Sequence, residues 1–174
     1  LRHLVRYARH HIEQELVGSI DFDAITSFGY PDLQAVEGMF ATLASDAAGP
    51  ILEDERRFMD KPGNRFFEVS ERPWPLEGGQ GAEEDRSTFV LVARPPAMSQ
   101  AECSTRLLRD VWPALLEKAS SPRFAVVRDA FSMRGAPLPY DGLMQLAGDE
   151  GIDFRGFAAR MGREGFRVAA IRTR

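Results

Sequence analysis

The side chains best suited to moving protons are Tyr7, His10 and His11 in "LVRYARHH" (4–11) and Asp23 in "FDAITSFG" (22–29). An imidazole titrates near neutrality and a phenol can donate or orient a hydrogen bond. Together inside an apolar cavity they suit general acid–base work. If 4–10 is a strand, its side chains alternate. His11 then shares a face with His3, Val5 and Tyr7, and His10 faces the other way with Leu4, Arg6 and Ala8. The expected catalytic set is Tyr7, His11 and Asp23, with Phe22, Phe28 and Tyr30 as substrate-binding walls. The alternative is two histidines half solvated at a strand end, without a role. Asp23 has its own alternative, because it recurs as Asp141 in "YDGLMQLA" (140–147), a half without the histidines. Recurrence favours a carboxylate that closes a loop by bonding to backbone.

Other chemistries are poorly served. His11-x-Glu13 with Asp21-x-Asp23 resembles no closed zinc spacing, and a haem ligand would have to come from His3, His10 or His11. "GGQG" (78–81) lacks the spacing and the lysine of a phosphate loop. No metal, nucleotide or other cofactor is expected. A net charge of −4 gives no basic field for a phosphate backbone, so nucleic acid is not an expected partner. No apolar run approaches the roughly 18 residues of a membrane span, and no signal peptide is recognised at the start. The lone Cys103 excludes an internal disulfide; it reads as a passive thiol on a helix and fits a reducing, cytoplasmic setting.

The elements that would hold these residues form a repeat. "STFVLVARPP" (87–96) reads as a strand stopped by prolines, and 98–119 as a helix with Ser99 as N-cap and Glu102 three residues on. "RFAVVRDAF" and "YDGLMQLA" read as strands, 152–165 as a helix with Phe154, Phe157, Ala158 and Met161 on one stripe, and "FRVAAIRTR" as a last strand. The order β-α-β-β-α-β is the split βαβ, or ferredoxin-like, unit. In the first half "LVRYA" matches "VVRDA", "FDAITSFG" matches "YDGLMQLA" and "NRFFEVSER" matches "FRVAAIRTR". Between the last two lies a helix, 32–59, expected to break near Gly49-Pro50. Helical spacing of Leu1, Leu4, Val5, Ala8, Ile12 and Leu16 competes for residues 1–17, but a helix there leaves no strand ahead of "FDAITSFG". The strand reading is adopted. The expected organisation is a first unit over 1–72 lacking its opening strand and helix, a Pro/Gly-rich and acidic linker over 73–86 with Trp74 as a packing anchor, and a second, degenerate unit over 87–174.

"RYARHH", "FDAITSFGYPDL", "ILEDERRFMD" and "RFFEVSE" together resemble the EthD domain of the dimeric α+β barrel group. The shared features are Tyr7 with His10 or His11, Phe22-Asp23, and Asp54-Glu55 with Phe58 and Asp60. The second half keeps Tyr140-Asp141 alone. The resemblance implies an α+β fold of tandem ferredoxin-like units curled into one barrel, and a pocket rather than a particular reaction. Two readings follow. One is a cofactor-free lyase, cyclase or isomerase acting on an aromatic, polyketide-like or lactone substrate through Tyr7 and His11. The other is a ligand-binding or accessory protein with the cavity and no chemistry. A small molecule is the expected partner, and a homodimer is possible. A closed polar pair in a deep pocket favours the first reading; a solvent-facing His11 favours the second.

Overall fold

The computed structural model describes residues 4–58, 65–73, 87–117, 119, 124–134, 138–147 and 149–174. Of the expected linker 73–86, Pro73 is instead the last residue of a strand and the rest lies outside the described residues, as do His3 and Asp60. The chain runs β1 (Arg6–Val17), β2 (Ala24–Gly29), α1 (Leu33–Leu43), a 3-10 turn (Asp46–Ala48), α2 (Gly49–Phe58) and β3 (Phe66–Pro73). It continues through β4 (Ser87–Ala93), α3 (Gln100–Arg106), a π-helical turn (Leu107–Val111), α4 (Trp112–Leu116), β5 (Phe124–Arg134), β6 (Gly142–Ala147), α5 (Phe154–Arg163) and β7 (Arg167–Thr173). The architecture is α+β. Among the described residues seven strands form one sheet in the order β2-β1-β7-β4-β6-β5-β3, every pairing antiparallel.

Residues 6–17 are strand, which settles the competition between periodicities at the N-terminal end. Arg6 to His11 pair with β2, and from Ile12 onward β1 pairs with β7. Two register shifts in the β1–β7 ladder, between Ile12 and Gln14 and between Glu15 and Val17, let so long a strand bend. The helix expected over 32–59 does break, but at Ala44–Ser45 rather than at Gly49-Pro50. Pro50 sits in the first turn of α2, where the missing N–H leaves no ladder bond unmade. Asp32 caps α1 by accepting the Ala35 N–H at 2.8 Å, and Ser99 caps α3 through the Glu102 N–H at 3.2 Å.

The sheet buries side chains on both faces. On one face Val90, Val92, Met144, Leu146 and Ala170 pack under the helices, against Cys103, Leu107, Val111, Trp112, Leu115, Phe154, Phe157 and Met161. Gly142 lets the π-turn approach: a Cβ there would stand 2.3 Å from Leu107 Cδ1. On the other face Phe89, Leu91, Leu143, Ala169 and Ile171 form a second cluster. Ile25 of β2 and Phe67 and Val69 of β3 pack on that same cluster from opposite ends of the sheet, so the sheet curls around it. β4 therefore lies between two apolar layers and is buried along its whole length. Among the described residues no helix is long and apolar enough to cross a membrane.

Candidate functional site

Strand parity decides where the histidines go. Directly paired residues share a face, so His10 lies with Ile25 and His11 with Ala24. Ile25 and Ile12 pack on the concave cluster, and His10 is buried there with its ring edge-on to Phe89 at 5.0 Å. His11 and Tyr7 project from the opposite, outer side and are exposed. They stand four positions apart along one strand, roughly 13 Å. The structure does not bring them within proton-transfer distance, and it puts the other histidine inside. The alternation read from sequence is right; the face chosen as inner is the outer one, an error that a single residue of parity produces.

The expected pocket walls are also dispersed. Phe22 packs on the concave cluster, whereas Phe28 stands on the outer side, edge-on to Tyr7 at 5.4 Å. Tyr30 is half-buried, its hydroxyl enclosed without a hydrogen-bond partner among the described residues, and burial pushes its pKa up. Asp23 is exposed and makes no side-chain bond among the described residues; its backbone carbonyl accepts the Ile12 N–H at 3.0 Å. Its counterpart Asp141 has the structural role expected of a recurring carboxylate. Oδ2 accepts the Arg94 N–H at 2.8 Å and Oδ1 lies 3.0 Å from the Arg94 guanidinium. In the Asp-Glu motif, Asp54 is an exposed residue of α2.

A cleft of about 760 Å³ opens elsewhere, between the C-terminal part of β1, the start of β4, the end of β7 and the turn entering α5. Gln14, Glu15 and Leu16 form one side; Ile152, Phe154 and Arg155 form the other, with Thr88 and Arg172 on the floor. Asp149 organises that floor. Its Oδ2 accepts from Thr88 Oγ1 at 2.7 Å and from Arg172 Nη2 at 2.8 Å. Burial alone would raise this carboxyl, but the bonds from Arg172 and Thr88 outweigh it and hold the pKa below the usual carboxylate value. The result is a compensated ion pair beside apolar groups, with donor capacity left on the guanidinium. Behind it lies a band of buried polar atoms: Gln145 Nε2 donates to Ser87 Oγ at 3.0 Å, and Thr173 Oγ1 to the Ser87 carbonyl at 3.0 Å. None of Tyr7, His11, Asp23, Phe22, Phe28 or Tyr30 is among the residues lining this cleft.

Sequence reasoning missed the cleft because Thr88, Asp149 and Arg172 come from three separate elements, with no local spacing to link them. The one local sign was "DEGID" (149–153), a polar stretch ahead of α5 whose Asp153 caps that helix through the Gly156 N–H at 2.9 Å. Among the described residues no three His, Cys, Asp or Glu side chains gather as a metal-holding group. Comparison with family models, with curated proteins and with solved structures finds no match.

Proposed function

We propose that this chain is an EthD-like, small-molecule-binding protein: two ferredoxin-like units in tandem, curled into an α+β barrel, with the Asp149–Arg172 cleft as the ligand site. The strand order supports the architecture. β4, α3–α4, β5, β6, α5 and β7 pair as β7-β4-β6-β5, the order of a split βαβ unit. β1, β2 and β3 stand to β5, β6 and β7 as first half to second, and the crossed pairings β1–β7 and β3–β5 exchange under that correspondence. The binding reading is carried by one observation: Asp149 and Arg172 are paired, partly buried charges beside a roomy cleft, while His11 faces solvent. Leu16, Ile152 and Phe154 offer flat apolar contact and Arg172 a donor, which suits an aromatic, polyketide-like or lactone ligand bearing a carbonyl or hydroxyl.

A thermal-shift and calorimetric screen of hydroxylated aromatics and lactones tests this. A binder should raise Tm in the parent protein and lose its effect in Arg155→Trp, which fills the cleft from an exposed helix position. Failure of every such compound, or equal binding to the filled variant, removes the cleft from consideration. A catalytic second reading, a cofactor-free lyase, cyclase or isomerase, rests on the buried His10 beside Phe89 and transfers the proton-handling role from His11 to His10. It requires that His10→Gln abolish turnover with the fold intact and that His11→Ala and Tyr7→Phe leave both turnover and ligand affinity within about twofold of the parent, since exposed side chains far from the site contribute little.

A further inference from the structure

We infer that the open side of the sheet, between β2 and β3, is a docking site for one further β-strand and a helix behind it, supplied by polypeptide joined to the N-terminal side of β1. The inference rests on the tandem reading above and on four observations.

Exchanging β1 with β5, β2 with β6 and β3 with β7 turns the order β7-β4-β6-β5 into β3, a blank, β2, β1. The blank is the counterpart of β4, and among the described residues β2 and β3 are the two ends of the sheet. Their starts also lie side by side. Arg65, immediately ahead of β3, makes two hydrogen bonds of 2.7 and 2.6 Å to the carboxylate of Asp21, three residues ahead of β2. Two strand spacings, about 10 Å, are within reach of an arginine and an aspartate laid end to end. The two open edges therefore start together, as β6 and β7 do on either side of β4, and a strand between them would be antiparallel to both.

Asp141 caps the N–H of Arg94, the first residue after β4, whereas Asp23, in the matching "FD" and "YD" positions, has no bond from its side chain among the described residues. It is a capping carboxylate without its turn. The outer face tells the same story. Met144 and Leu146 of β6 are both 0% exposed beneath α3 and α4. At the matching positions of β2, Thr26 is exposed and Phe28 is 47% exposed, with Val5, Tyr7 and Leu33 exposed nearby in sequence or across the ladder.

The occupant's chemistry follows. Its strand presents apolar side chains alternately toward Ile25, Phe67 and Val69, and the helix after it is amphipathic and covers Tyr7 and Phe28. The residue between them offers its N–H to Asp23. In the second half the strand and its helices directly precede β5, so the equivalent segment directly precedes β1. The sequence "PLEGGQGAEEDR" (75–86) has no alternating apolar run to serve instead.

The ladder makes a specific test available. Ile12 N–H bonds to the Asp23 carbonyl, so alternation puts the bonds to β1 on Ile25, Ser27 and Gly29 and turns the amides of Ala24, Thr26 and Phe28 to the open side. Residue-resolved hydrogen exchange on the polypeptide its gene encodes in full should show these three amides slowed by about 10³-fold or more over open-edge values, as for a paired strand. Cross-strand NOEs should connect them to residues ahead of Leu1. Thr26→Pro, tolerated at an open edge, should release Ala24 and Phe28 to fast exchange while the amides of Phe89 and Ile171 stay protected. Fast exchange at all three amides in the full polypeptide overturns the inference. Protection that disappears on dilution assigns the edge to a second copy and overturns the cis source. The readout involves no ligand, so failure of the ligand screen leaves it standing, and its failure leaves the cleft proposal standing.

Discussion

β2 and β6 carry nearly the same pattern, "FDAITSFG" and "YDGLMQLA", and both pair antiparallel with the preceding strand of their half, yet one has an open outer face and the other lies beneath α3 and α4. The difference separates two causes that are usually fused. Alternation and a hydrogen-bonded neighbour are sufficient to define each strand and its register. Burial depends on what is layered above it. The sharpest way to break this comparison is to truncate matched residues. Leu146→Ala should cost about 3 kcal/mol, since the helices above cannot collapse fully onto the space. Phe28→Ala on the same chain should stay within about 0.5 kcal/mol, the range of exposed substitutions. Chemical denaturation of both variants measures the contrast; equal losses would mean that Phe28 is covered after all.

The second half also holds the charges that matter to the cleft. Asp149→Asn should lower stability by about 2 kcal/mol at pH 7, the scale of hydrogen bonds to a charged group. The sign follows from the depressed carboxyl. A pKa held below the unfolded value of about 3.9 contributes stability that is complete above that value and is lost as pH falls through the folded one. The gap between parent and variant should therefore narrow below about pH 4. A gap that is constant from pH 7 to pH 3 would assign the loss to packing rather than to the Arg172 and Thr88 bonds.

A smaller contrast concerns the recurring aspartates. Asp141→Asn should cost about 1 kcal/mol, because it weakens the bond to the Arg94 N–H and removes the charge opposite the guanidinium. Asp23→Asn should cost nothing measurable in residues 1–174, since its side chain makes no bond among the described residues. A measurable loss at Asp23 means that it already holds a partner and that the two halves are more alike than their exposure indicates.

These contrasts show which parts of the molecule the sequence disclosed. Strand and helix positions were legible wherever a local pattern sufficed: alternation in 24–29 and 142–147, the Ser99 cap, and the Phe154, Phe157 and Met161 stripe of α5, all three of which are buried. The structural role of Asp141 was legible because the similar stretches "FDAITSFG" and "YDGLMQLA" place an aspartate at the same point in both. The inner face of β1 was not, because alternation fixes which residues share a side and leaves open which side meets the core. Only the packing of Ile12 and Ile25 against Phe89 and Ile171 selects His10 over His11. The Thr88–Asp149–Arg172 cluster was invisible for a different reason: it exists only once β4 and β7 are paired.

The smallest expected effect lies at the seam between the two sheet ends. Asp21 and Arg65 form a two-bond pair, and the guanidinium hydrogen bond holds the Asp21 carboxyl below its usual value against a slight opposing burial. Asp21 is 64% exposed, so solvent screens most of that interaction. A double-mutant cycle with Asp21→Asn and Arg65→Gln should give a coupling of about 0.5 kcal/mol at low ionic strength. In roughly 1 M salt, where the Debye length is about 3 Å, the coupling should approach zero. Acid should remove it as well, because the depressed carboxyl contributes only above the unfolded value near pH 4 and loses its contribution as pH falls through the folded one. A strand seated between β2 and β3 would exclude water from this seam and raise the coupling, so the same cycle repeated on a chain that carries the proposed segment ahead of β1 should give a larger, less salt-sensitive value. An identical coupling in both chains would mean that Asp21 and Arg65 sit at an edge that stays open to water.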